Sequence, residues 1–120
     1  MDVDITQNGS VTIVRLAGKI TDQSSVDLFK KTLQALVMDQ KYDLILDLTN
    51  LTSLDSLGIG LIMSHFVSVS AQGGRVLLLG ANQRIRTVME HVQVDKRFGW
   101  AATLDDALDY FDDSSKTLPP

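Results

Sequence analysis

The segment Leu54-Asp55-Ser56-Leu57-Gly58-Ile59-Gly60 sets a hydroxyl beside a carboxylate and follows them with closely spaced glycines. A helix predicted to start at Ser56 would give that hydroxyl a special setting. The first N–H groups of a helix lack carbonyl partners, and the macrodipole adds partial positive charge there. Such a terminus receives phosphate readily. Phosphorylation of Ser56 would add about −1.5 to −2 charge and change what docks on the surface without dissolving the fold. Asp55 would repel that charge and limit how firmly it is held. The same residues also read as a plain capped helix, with Asp55 or Ser56 as the cap oxygen and the glycines packed close to a strand. Each glycine costs about 1 kcal/mol against alanine in a helix. Something therefore requires a bare backbone there, either a neighbouring element or an incoming protein.

Other chemistry is thin. The chain has no cysteine, which excludes disulfides, thiolate metal sites and thiol nucleophiles and suits a reducing cytosol. His65 and His91 fall on predicted helices outside any metal-ligand pattern, and both read as satisfied or exposed structural histidines. Asp22, Asp47 and Asp55 flank loops and read as loop solvation rather than a Mg²⁺ site. Gly73-Gly74-Arg75 precedes a strand and lacks the spacing of a phosphate-binding loop, and no Gly-x-Ser-x-Gly elbow occurs. No base–nucleophile pair stands out. The expectation is a binding protein that is not an enzyme and carries no cofactor or metal.

At 120 residues, with 44% hydrophobic and 22% charged residues, the chain fits one globular domain able to bury a core. A net charge of −4 argues against nucleic acid as a partner, and Arg84, Arg86, Lys96 and Arg97 are interrupted by Glu90 and Asp95. No apolar run approaches the ~20 residues of a membrane span, and the acidic opening Met1-Asp2-Val3-Asp4 is unlike a signal peptide. A cytoplasmic protein without nucleic-acid or membrane partners is expected.

The elements that must position Ser56 follow from periodicity. Val3 to Gln7 and Val11 to Leu16 are strands joined by Asn8-Gly9-Ser10, a hairpin signal, with Gly18 ending the second. Ser24, with Asp27 three residues on, is the predicted cap of a helix carrying Val26, Phe29, Leu33, Leu36 and Val37 inward. Tyr42 to Leu48 is a strand, and Thr49 to Asp55 a polar loop. The helix from Ser56 to about Ala71 has the stripe Leu57, Leu61, Ile62, Phe66 and Val69, and Gly73-Gly74 stops it. Val76 to Leu79 reads as a strand covered on both faces. Asn82 caps a helix with Ile85, Val88, Met89 and Val92 inward; Phe98 to Ala101 is a short strand. Thr103 caps the last helix, whose inner face is Leu104, Ala107, Leu108 and Phe111. The order ββαβαβα(β)α predicts an α/β domain over 1–111, with a mostly parallel sheet of four to five strands, an antiparallel opening hairpin and about four helices. Residues 112–120 read as a flexible tail.

In this order the pieces resemble the STAS-domain anti-sigma factor antagonists of bacteria. Asp55-Ser56-Leu57-Gly58-Ile59-Gly60 is similar to that family's Asp-Ser-x-Gly-[Leu/Ile]-Gly motif, and Leu16-Ala17-Gly18-Lys19-Ile20 to its first landmark. Leu44-Ile45-Leu46-Asp47-Leu48 matches the central strand, and Gln72-Gly73-Gly74 with Val76-Leu77-Leu78-Leu79 the next turn and strand. Ile85 and Val88-Met89 match the third helix, and Leu104-Asp105-Asp106-Ala107-Leu108 the final one. The resemblance implies that Ser56 is a phosphorylation site and that Asp55, Ser56, Leu57, Gly58 and Ile59, with Thr21 and Asp22, bind the partner. It implies a serine-kinase anti-sigma factor bound by the unphosphorylated form, and a PP2C-type phosphatase that restores that form. Leu57 and Ile59 would supply an apolar docking surface on a monomer or weak dimer. The chain departs from the pattern at Leu57, at Thr21 in place of an aspartate, and at Gln93 in place of a glycine. The alternative is a stand-alone STAS module that senses or scaffolds, including by binding a nucleotide or joining a larger signalling assembly, without a phosphorylation cycle.

Overall fold

A computed structural model of the protein describes residues 1–116. Strands β1 (Asp2–Asn8) and β2 (Val11–Ile20) form the expected antiparallel hairpin, closed by the Asn8–Val11 pair with Gly9 at φ +59°. Helix α1 (Gln23–Met38) leads to β3 (Asp43–Leu54), α2 (Ser56–Ser70) and β4 (Arg75–Leu79). Helix α3 (Gln83–His91), a 3₁₀ turn at Asp95–Arg97, β5 (Gly99–Ala101) and α4 (Leu104–Lys116) complete the chain. The strands lie in the order β1-β2-β3-β4-β5, with every pair after the first parallel. A sheet that grows steadily to one side through right-handed crossovers must put its crossover helices on one face. Accordingly α1, α2 and α3 pack Phe29, Leu33, Ile62, Ile85 and Met89 against Leu44, Leu46, Leu48 and Leu78. Helix α4 lies on the opposite face, where Ala107 and Phe111 meet Ile13, Ile45, Leu77 and Leu79.

Several local expectations are corrected. Gly18 does not end β2; it sits inside the strand at φ +95°, between two register shifts, and pairing continues to Ile20. The stretch expected to be a loop, Thr49 to Asp55, is mostly strand. Asn50, Leu51, Ser53 and Leu54 pair with Ala17, Gly18, Lys19 and Ile20. The shifts leave Leu48, Leu51 and Leu54 buried at a spacing of three, which a period-two reading does not register as a strand. The cap of α1 is Asp22, not Ser24: Ser25 N–H donates to Asp22 Oδ1 (2.7 Å) and Asp22 N–H donates to Ser25 Oγ (3.3 Å), a reciprocal box.

Helix α2 is turned from the expected orientation. Its buried residues are Gly58, Ile59, Ile62, His65 and Val69, while Leu57 is 60% exposed and Leu61 and Phe66 are half-buried. Val92, expected on the inner face of α3, lies past its end and is exposed. Helix α4 starts as expected, with Asp106 N–H donating to Thr103 Oγ1 (3.1 Å), but runs to Lys116 through residues read as tail. The rest of that expected tail, 117–120, lies outside the described residues.

Candidate functional site

The last rung of β2–β3 pairing sets Ile20 opposite Leu54, so both strands end at the same height. Helices α1 and α2 therefore begin side by side, outside the carboxyl ends of parallel strands, where α/β sheets commonly bind ligands. The Asp55 N–H donates to the Ile20 carbonyl (3.2 Å) and ties one start to the other. The rung thus brings Thr21 and Asp22 next to Asp55, Ser56 and Leu57.

Both helix starts are capped by aspartate. Asp22 accepts from Ser25, and the hydrogen bonds from the Ser25 backbone and hydroxyl hold its carboxyl below the usual range. Asp55 Oδ1 accepts from the N–H groups of Leu57 (3.0 Å) and Gly58 (3.1 Å). Those are the donors expected to receive a phosphate on Ser56. They are already engaged, so a charge added at Ser56 would stand beside the Asp55 carboxylate and face solvent. Ser56 itself, the first residue of α2, is exposed, and its hydroxyl makes no hydrogen bond among the described residues.

The two glycines have different reasons. A Cβ on Gly58 would collide with Leu54 Cδ1 and lie 3.2 Å from Ile20 Cγ2, so the neighbouring strands require a bare backbone. A Cβ on Gly60 would meet nothing within 4 Å. Internal packing supplies no reason for that glycine. Ile59, paired with Leu57 in the expected docking surface, turns into the core at 5% exposure and cannot line an outer surface in this conformation. The exposed ridge of α2 runs instead through Ser56, Leu57, Gly60, Ser64 and Val67.

His65 corrects a further expectation. It is neither exposed nor satisfied: the residue is 4% exposed, and its buried Nε2 has no hydrogen-bond partner. Burial lowers its pKa from 6.5 to about 4, so the ring is neutral at physiological pH. The chain carries no local mark of this environment, because a histidine at a helical i, i+3 position reads the same whether it faces in or out.

The three loop aspartates serve the fold. Asp22 and Asp55 cap helices, and Asp47 accepts from Thr49 and lies 3.6 Å from Arg15 Nε. Among the described residues no cluster of three or more His, Cys, Asp or Glu can hold a metal ion. No helix among them is long and apolar enough to cross a membrane.

With this geometry, the model of the STAS domain family matches residues 2–107. The anti-sigma-B factor antagonist of Bacillus subtilis is 32% identical over 85 residues, covering 71% of this chain and 76% of that protein. An anti-sigma factor antagonist from Mycobacterium paratuberculosis superposes with a TM-score of 0.81 at 23% identity, covering 91% of this chain and 92% of the other. The Bacillus cell fate determinant SpoIIAA in its phosphorylated form gives a TM-score of 0.75 at 20% identity, covering 92% and 99%. The two structural likenesses speak to the fold.

Proposed function

The chain belongs to the STAS domain family, and from that premise we propose that it is an anti-sigma factor antagonist that works by partner switching. In the unphosphorylated state it binds a serine-kinase anti-sigma factor in the cytoplasm. The kinase transfers the γ-phosphoryl group of ATP to Ser56 Oγ, leaving ADP, and the complex separates. A PP2C-type phosphatase hydrolyses the ester and restores the binding form. The protein contributes surface and acceptor, not catalysis.

The carrying observation is the unengaged, exposed Ser56 hydroxyl on a helix start whose cap is complete without it. A phosphate there needs no rearrangement of α2, because Asp55 keeps the cap donors. Its effect falls on whatever is docked against Leu57. Removing a dianion from water beside an existing carboxylate costs more than an apolar contact returns. Gly60 supports the same surface: a helix glycine with open space around it suits close approach by another chain.

The test pairs the full chain with the serine-kinase anti-sigma factor homologue of its own genome. With ATP, intact mass should show one added phosphoryl group, mapped to Ser56 and absent from Ser56→Ala. Ser56→Asp should weaken the complex at least about 100-fold, ~2.7 kcal/mol, with its unfolding free energy within about 0.5 kcal/mol of the parent. Binding by Ser56→Asp as tight as the parent, or modification only at another residue, would refute the reading.

A further inference from the structure

Helices α1 and α2 enclose a groove of about 600 Å³ on the helical face of the sheet, away from Ser56. Its apolar walls include Leu33, Val37 and Leu61, and the small side chain of Ser64 keeps it open. His65, Lys30, Gln34, Met38 and Ser68 also line it. Among the described residues Lys30 is the only charged side chain lining it, and it forms no ion pair. The volume lies within the range of small-molecule sites, ~300–1,000 Å³.

The histidine is the telling member. A buried polar nitrogen without a partner costs about 1–3 kcal/mol, and leucine at that position would avoid the cost. A ring that stays neutral at physiological pH is not retained there for charge. A neutral imidazole has one N–H donor and one acceptor nitrogen, and its value in an apolar groove is a hydrogen bond to something that enters. At 1.5 Å per residue, Lys30 and His65 stand about 12 and 15 Å above their neighbouring helix caps, roughly level with each other. Both side chains line the groove, so one anionic head group seated there would lie against both, meeting the buried Nε2 once the ring turns toward the groove, with an apolar tail running toward Val37.

We propose that the α1–α2 groove binds an aliphatic carboxylate, its head group held between Lys30 and His65 and its chain lying on Leu33, Val37 and Leu61. The site uses neither Ser56 nor a protein partner, and it stands or falls independently of the switching cycle.

Decanoate is the probe, titrated below its micelle concentration into the full unphosphorylated chain and followed by amide and imidazole NMR shifts and by calorimetry. Shifts should centre on Lys30, Ser64 and His65. Decan-1-ol and decyltrimethylammonium should each bind at least about fivefold more weakly, because neither offers an anion to Lys30. His65→Leu should lose about tenfold in affinity with an unchanged or raised melting temperature, and Lys30→Gln about fivefold. Lys30 is exposed, so Lys30→Gln keeps the test valid if His65→Leu does not fold. Equal binding of the alcohol or the cation, or unaltered affinity in Lys30→Gln, would overturn the carboxylate assignment. Shifts of the same residues with protein concentration alone would assign the groove to a second copy of the chain and also overturn it.

Discussion

The backbone N–H of Asp55 donates to the carbonyl of Ile20 at 3.2 Å, and this one bond joins the residue that caps α2 to the last residue of β2. It makes the two helix starts a single platform. Ser56 is presented from that platform, and its position depends on how firmly Asp55 is held.

Asp55→Ala removes the oxygen that serves the Leu57 and Gly58 N–H groups, and should lower stability by about 1 kcal/mol. Asp55→Asn keeps an acceptor and should recover most of the loss. Urea denaturation of the three proteins measures the difference. Equal stability of Asp55→Ala and the parent would show that the cap bonds do not hold the helix start.

The motif glycines should respond oppositely to alanine. Gly58→Ala forces a methyl group into Leu54 and Ile20 and should destabilise by about 1–3 kcal/mol, less the helix-propensity gain. Gly60→Ala places the same methyl in open space and should stabilise by about 0.5–1 kcal/mol. In binding assays Gly60→Ala should nonetheless weaken a docked partner. A stabilised Gly60→Ala with full partner affinity would remove Gly60 from the interface.

His65 should make stability depend on pH. Its folded pKa of about 4 lies below the unfolded 6.5, so the unfolded chain binds the proton more readily. Stability from this group is complete above pH 6.5 and is lost as pH falls toward 4. Between pH 7 and pH 5 the loss should be about 2 kcal/mol. His65→Leu should flatten that part of the curve, measured by denaturation at each pH. Curves of identical slope would show that the ring is not desolvated in the folded state.

Gln93 occupies the left-handed region at φ +62°, directly after the α3 cap Val92. That conformation strains a residue with a Cβ by about 1 kcal/mol or more, and glycine relieves it. Gln93→Gly should therefore stabilise the domain, by roughly 0.5 kcal/mol after the added freedom of the unfolded chain. Thermal melts of the pair decide the sign. The family resemblance implies a glycine at this place, and the backbone shows why.

Much of the framework was legible because its signals are local. Asn8-Gly9 marks a hairpin, Asn82 and Thr103 supply cap oxygens, and Val76 to Leu79 is apolar throughout, as a strand covered on both faces must be. What was misread depended on partners distant in sequence. The second half of β3 looked like a loop because its buried leucines follow a bulged register set by β2. The cap of α1 is the exception: Asp22 and Ser25 are as local as Ser24 and Asp27, and only the folded backbone, extended at Asp22, shows which pair forms the box.

By itself the amino-acid order determined the alternation of strands and helices, the lack of thiol chemistry, and the candidate acceptor at Ser56. Those follow from residue type and short-range spacing. The tertiary structure alone decided that Leu57 faces out while Ile59 faces in, that Asp55 already occupies the donors beside Ser56, and that His65 is buried without a partner. Each depends on how α2 is rotated against the sheet, with Gly58 packed against Leu54 and Ile20 and Ile59, Ile62 and Val69 turned into the core.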